Sequence, residues 1–448
     1  MYSSQPSPRP HRPPAPPPYT PHTPYPPHAH RPDASGAAAA HGPLRPRRRT
    51  PPWHSRTIRA VALTSLLALS GVIIIGMVRQ ETGTEGFLVG LGLAVFPVPL
   101  LIAAFCWLDR IEPEPWRNLA FAFTWGACAA TLVALLANGF ATDWLAANIA
   151  STSPTEAEAW GATVIAPVVE ELVKAAAVLL LYRFRRHDFD GITDGIVIAG
   201  ITATGFAFTE NVLYLGNAFG QDQSMGHSGL DSLTAGTFFV RIVVSPFAHP
   251  LFTILTGLAF GIAATRYPRR RPARIALAAL GLLTAVLLHA IWNAASTLGD
   301  LGFLVVYGLF MVPVLLALTW LAVWTRGQEL LSLRGYLAPY ITAGWLAPTE
   351  PTALSSLTTR ALARDLAHRA QGPAAARAVT EYTALATALS FHRRRAHLTG
   401  PAPDFTTRER HLLEHLRHYQ PWGRPALTCA LGQRDGDSGP DALRGAER

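Results

Sequence analysis

Lysine is almost absent from this chain. Of its 38 lysines and arginines, a single residue, Lys174, is lysine. Charge of either sign is scarce: Asp, Glu, Lys and Arg make up 15% of 448 residues, against 49% hydrophobic ones. Soluble domains carry about 25% charged residues, so a purely soluble globular protein is excluded. Cysteine occurs three times, at Cys106, Cys128 and Cys429. The first two lie in apolar runs and no CxxC pair exists, which excludes a disulfide framework and a cysteine zinc site. No cleavable signal peptide is visible, because the first apolar stretch begins only near Thr57, behind a long polar segment. The net charge of +9 comes from arginines in the tails and in one set of loops. That is a membrane-orientation pattern, and no nucleic-acid partner is expected.

What the chain does have is apolar runs, repeated from Thr57 to Thr325. About 20 such residues span a bilayer as a helix. The expected fold is therefore all-α, a polytopic membrane helix bundle in contact with the lipid bilayer. About eight spans can be marked: Thr57–Val78, Phe87–Trp107, Asn118–Phe140, Trp160–Leu181, Gly191–Gly216, Thr237–Ala264, Ala273–Ala295 and Leu301–Thr325. Before them, residues 1–56 hold seventeen of the 37 prolines and bury too little apolar surface to order themselves, so a disordered cytosolic tail is expected. After them, residues 326–448 are rich in Ala and Arg and are expected to form a helical cytosolic tail. Its His411-Leu412-Leu413-Glu414-His415 matches an inverted zinc-protease pattern, but a third ligand well downstream is missing, so it is taken as a solvated helix face.

Arginine sets the orientation. Arg110 and Arg117 follow the second span, Arg183, Arg185 and Arg186 the fourth, and Arg266, Arg269, Arg270, Arg271 and Arg274 the sixth. The alternate loops hold only Arg79. Both termini are expected in the cytoplasm. The preference for Arg, Ala and Pro over Lys reads as a GC-rich bacterial genome, which makes the cytoplasmic membrane of a bacterium the expected location.

Four polar clusters interrupt consecutive spans: Glu170-Glu171-x-x-Lys174, Phe206-x-x-Thr209-Glu210-Asn211, His249-Pro250-x-x-Thr253 and His289-x-x-x-Asn293. An ionised group in hydrocarbon costs about 2.5–3.5 kcal/mol on insertion scales. Three in one helix need partners, and Lys174 can reach either glutamate from its position one turn on. At 1.5 Å rise per residue, Glu170 lies about 15 Å below the outer end of its span, Glu210 and His289 about 9 Å, and His249 about 18 Å. Each cluster alone has a plainer explanation: a neutralised pair, a packed acid, or a histidine bonded between helices. Together they place two His and three Glu in one layer, enough for a divalent metal and a general base. Intramembrane Glu, Lys and His also suit a proton-coupled transporter, although no internal repeat is found. A non-catalytic membrane scaffold is the third possibility.

The ordered set of motifs resembles the PrsW family of intramembrane proteases, as do the Asp109-Arg110-x-Glu112-Pro113-Glu114-Pro115-Trp116 loop and the Asp194-Gly195 pair. That family is distantly similar to the CAAX-processing and bacteriocin-processing membrane proteases, which carry a His where this chain has Glu210. The resemblance spans about residues 60–325, the expected protease domain of 57–325. It implies cleavage of a single-span, membrane-anchored protein near its extracytoplasmic side, in the best-known case an anti-sigma factor. It also implies roles. Glu170 or Glu171 would activate water. Glu210, His249 and His289 would hold a metal, Zn²⁺ in the first instance. Asn293 would orient His289 or stabilise an oxyanion, and Lys174 would set the charge state of the paired glutamates. In a metal-free version Glu170 and Glu210 activate water while His249 and Asn293 stabilise the oxyanion.

Overall fold

In hydrocarbon every backbone N–H and C=O has to bond within its own segment, so apolar runs of this length become helices. A computed structural model of the chain describes residues 56–148, 153–185, 189 and 191–437. The Pro-rich tail and the orienting Arg186 lie outside them. The described residues contain helices and no strands, and the protein is an all-α, multi-pass membrane protein.

The helices follow the expected spans in order. α1 (Arg56–Ala94) breaks at Gly83, whose φ of 72° suits a residue without a Cβ, and α2 (Pro97–Leu108) follows. α3 (Trp116–Thr124), a π-helical turn at Trp125–Ala130 and α4 (Thr131–Asn148) make the third span. α5 (Pro154–Trp160), a π-turn at Gly161–Ile165 and α6 (Ala166–Phe184) make the fourth, and α7 (Ile192–Met225) the fifth. α8 (Leu233–Phe238), a π-turn at Phe239–Val244 and α9 (Ala248–Arg266) make the sixth, and α10 (Arg271–Ala295) the seventh. α11 (Gly299–Val306), a π-turn at Tyr307–Met311 and α12 (Val312–Thr342) make the eighth. Among the described residues six stretches are long and apolar enough to cross a membrane. The count falls below eight for two reasons. Thr57–Leu108 is one stretch that contains the Gly83 break, and α6 carries the charges of Glu170, Glu171 and Lys174.

α7 is the axis of the bundle. Its apolar stretch is 83% buried, against 6% for the last one. Small residues permit this by letting backbones touch. A Cβ at Gly195 would sit 2.1 Å from the carbonyl oxygen of Gly257 on α9, and one at Gly126 would sit 1.9 Å from that of Thr202. The hydroxyls of Thr202 and Thr204 donate to the carbonyls one turn back, so they enter the core satisfied.

α12 crosses the expected boundary at 326 without a break. It runs into a second core shared with α13 (Glu350–Leu354), α14 (Leu357–Thr399) and α15 (Phe405–Asp437). Leu333, Leu337, Leu354, Val379, Leu389 and Leu427 are fully buried there. Two tyrosines carry polar groups into this core. Tyr340 donates to Glu409, which also takes Arg393, and Tyr382 donates to Glu350. The 109–117 loop wedges between the two helical units: Ile111 enters the second core, and Asp109 accepts from the Glu114 N–H at 2.6 Å.

Burial, together with the nearby Glu329 carboxylate, pushes the Asp109 carboxyl up to about 7. An acid raised on folding binds more protons in the native state, so its contribution to stability is complete below the unfolded value of about 3.9 and is lost as pH rises through about 7. Asp109→Asn keeps the acceptor and removes the charge. It is expected to raise the melting temperature at about pH 8 and to leave it unchanged near pH 4. Thermal unfolding of both proteins at the two pH values checks this; equal shifts at both would show that the charge is not responsible.

Candidate active site

The fourth, fifth, sixth and seventh spans meet at one layer. α6 supplies Glu170, Glu171 and Lys174, one helical turn apart and facing inward; Glu171 and Lys174 are fully buried. A π-turn immediately precedes α6, whereas a non-helical break at Ser245–Phe247 separates the π-turn at Phe239–Val244 from α9; such irregularities re-aim the residues after them relative to a regular helix.

Lys174 is the hub. Its Nζ lies 2.9 Å from Glu171 Oε1, 3.4 Å from Glu170 Oε2 and 3.0 Å from His249 Nδ1, and 4.0 Å above the centre of the Phe206 ring. Glu171 is held on both oxygens. Oε1 faces Lys174 and, at 3.1 Å, His289 Nδ1, while Oε2 accepts from Thr253 Oγ1 at 2.8 Å. His289 also stacks on Phe252, with ring centroids 4.6 Å apart. Glu170 is held more loosely, by Lys174 alone among the hydrogen bonds described. It lines a small cavity of about 30 Å³ together with Glu210, Thr209 and Asn138. The Asn138 Oδ1 is buried there without a hydrogen-bond partner among the described residues.

Glu210 stands on the far side of His249. Its Oε2 is 2.6 Å from His249 Nε2 and 3.0 Å from Arg241 Nη1, and Arg241 also donates to Asn211 Oδ1 at 3.1 Å. The Arg241 guanidinium covers the Tyr214 ring at 3.6 Å. With Lys174 donating to His249 Nδ1, the Nε2–H of His249 donates to Glu210. A chain of charged and polar groups thus runs Arg241, Glu210, His249, Lys174, Glu171, His289.

Glu170, His249 and His289 each offer a donor atom, all within 4.8 Å of one another, the one such group among the described residues. One carboxylate and two imidazoles fit a catalytic zinc in chemistry and number. The trio differs from the Glu210, His249, His289 set read from sequence: Glu210 is turned to Arg241, and Glu170 occupies the third place. An ion bound through His249 Nδ1 would displace the Lys174 ammonium from that nitrogen.

One neighbour differs from the sequence reading: Asn293 donates to the Ala162 carbonyl at 2.8 Å and not to His289. Thr253, one turn from His249, bonds Glu171. The sequence reading also missed Arg241 and Asn138. Arg241 was legible as an isolated arginine in an apolar run eight residues before His249. A single Asn in a membrane helix gave no comparable signal.

Residues 114–318 match a family described as PrsW family intramembrane metalloprotease. Protease PrsW of Geobacillus kaustophilus (strain HTA426) is 25% identical over 245 residues, 55% of this chain and 92% of that protein. Protease PrsW of Clostridioides difficile (strain 630) is 27% identical over 199 residues, 44% of this chain and 75% of that protein. That of Halalkalibacterium halodurans is 28% identical over 145 residues, 32% of this chain and 57% of that protein. No solved structure matches the chain. The matched segment contains all four clusters that meet in the buried layer, and over it the chain is similar to the PrsW family of intramembrane metalloproteases.

Proposed function

We propose that this peptidase cuts a single-span protein of the bacterial cytoplasmic membrane near its extracytoplasmic side, with an anti-sigma factor as the first substrate to try. The observation that carries the reading is the unequal holding of the two adjacent glutamates. Glu171 is engaged on both oxygens, whereas Glu170 faces a cavity large enough for a water molecule. Glu170 is therefore the carboxylate that acts on the hydrolytic water, and Glu171 fixes Lys174 and His289. Arg241 holds Glu210, which in turn orients His249.

With a metal present, Glu170, His249 and His289 would hold it, Zn²⁺ in the first instance, and Glu170 would then be a ligand and not the free base. When bound, the metal supplies carbonyl polarisation and a more acidic water. In the metal-free alternative Glu170 is the general base, and the Lys174–His249 pair offers positive charge to a developing oxyanion. Sidedness follows from arginine. His289 is 18 residues (271 to 289) from the Arg-rich start of α10 and six from its end. His249 opens α9, whose other end is Arg266. With those arginines and both termini cytoplasmic, the layer lies toward the outer half.

Co-expression with candidate single-span substrates tests the activity. Wild type is expected to release a fragment, and Glu171→Ala, His249→Ala and His289→Ala to release none at matched membrane levels. Mass analysis of the fragment is expected to place the cut in the substrate's outer half; a cytoplasmic cut would reverse the sidedness. Metal content is checked separately on purified protein. Stoichiometric zinc is expected in wild type and its loss in His249→Ala. Active protein that contains no metal and ignores chelators would leave the metal-free arrangement.

A further inference from the structure

A second polar site lies at the opposite end of the same helices. A cavity of about 220 Å³ is bounded by Tyr182 on α6, Ala264 on α9, Arg274 on α10, Arg394 on α14 and Arg408 on α15. It is smaller than the about 300–1,000 Å³ of pockets for whole small molecules, and so suits a single charged group. Four arginines line it (274, 394, 395 and 408) against one carboxylate, Asp404. Arg395 and Arg408 also face an adjoining cavity walled by Glu112, Glu114 and Asp194, and so have acids at hand. Arg274 and Arg394 do not line that second cavity. Arg274 Nη1 bonds the Tyr182 hydroxyl at 3.2 Å. Arg394 Nη1 is buried without a hydrogen-bond partner among the described residues.

We propose that this cavity binds the phosphate group of an anionic ligand, either a phospholipid headgroup or a soluble phosphate. Guanidinium forks match the geometry of phosphate oxygens, and basic pockets between helices on the cytoplasmic side are suited to anionic headgroups. Apolar Phe189, Leu398 and Phe405 beside the arginines give a glycerol or acyl portion a surface to cover. The site is remote from the catalytic layer: Arg274 precedes His289 on α10 by 15 residues (274 to 289), about 22 Å of helix. Yet the three helices that reach it, α6, α9 and α10, carry Glu170, Glu171, Lys174, His249 and His289. A ligand here would tie the C-terminal helices to the inner ends of the catalytic ones. The proposal does not depend on the protease reading.

Full-length protein in detergent micelles is offered phosphatidylglycerol, phosphatidylcholine or inorganic phosphate. Retained lipid is read by native mass spectrometry, and phosphate by the shift in melting temperature. Wild type is expected to retain phosphatidylglycerol over phosphatidylcholine by about tenfold or more. Arg274→Gln/Arg394→Gln is expected to lose that preference. Arg369→Gln removes an exposed charge that pairs with Asp365 on α14 and is expected to change nothing. If phosphate stabilises wild type but not the double variant and phosphatidylglycerol is ignored, the site stands with a soluble ligand. Should the double variant fail to fold, Arg394→Lys keeps the charge and loses the fork, and a drop in retention is expected. Binding of neither probe, wild-type retention in the arginine variants, or an equal loss in Arg369→Gln overturns the proposal.

Discussion

Glu170→Gln is expected to lower cleavage of a membrane-anchored substrate by about 10²–10⁴-fold, the range that a positioned general base supplies. The substitution keeps size and hydrogen bonding, and the one bond it weakens is the long 3.4 Å contact with Lys174. Melting temperature should therefore barely move. Glu171→Gln is the contrast. That carboxylate organises Lys174, Thr253 and His289, so its loss should lower stability and activity together. The two variants are compared for melting temperature and for single-turnover cleavage at saturating substrate, which separates chemistry from binding. If Glu170→Gln cleaves like wild type while Glu171→Gln is folded and inactive, the roles of the two glutamates are reversed.

Lys174→Met is expected to be the most destabilising single change in the membrane domain. Removing one member of a buried ion cluster leaves its partners charged and uncompensated, at a cost of about 3–5 kcal/mol. Here two carboxylates lose their shared cation, and Met approximates the volume. Lys174→Met/Glu171→Gln removes one of the stranded charges and should recover part of the loss, a coupling that a double-mutant cycle measures. Thermal unfolding in a mild detergent gives the four values. Additive losses would mean that the 2.9 Å contact between Lys174 and Glu171 contributes nothing.

The spans and the four clusters were legible because hydrocarbon is an unforgiving solvent. A run such as Val168 to Leu181 has few alternatives to a helix, and a charge within it stands out. Which cluster residues would touch was not legible. Spacing along α9 put Thr253 one turn from His249, yet its hydroxyl bonds Glu171 on another helix. The break at Ser245–Phe247 between the π-turn and α9 shows why: α9 starts afresh there, with a rotation that the hydrophobic pattern of the whole span does not set. The exchange of Glu210 for Glu170 beside the histidines has a similar origin. It depends on Arg241, which claims Glu210 from a residue otherwise read as part of an apolar run. The helical C-terminal region was read from its amphipathic stretches, but its buried Tyr340–Glu409 and Tyr382–Glu350 pairs join residues 69 and 32 positions apart. Such distant pairings leave no local pattern.

The placement of Lys174 on the same helix as both glutamates also bears on how the protein is made. α6 emerges from the ribosome before α9 and α10, so neither histidine is present when it must leave the water-filled translocation channel. Each bare charge would oppose that step by about 2.5–3.5 kcal/mol. Lys174 can meet Glu171 within the nascent helix, three residues apart, and enter the lipid as a neutralised pair. The arrangement that later positions His289 thus first serves as the helix's own passport into the membrane.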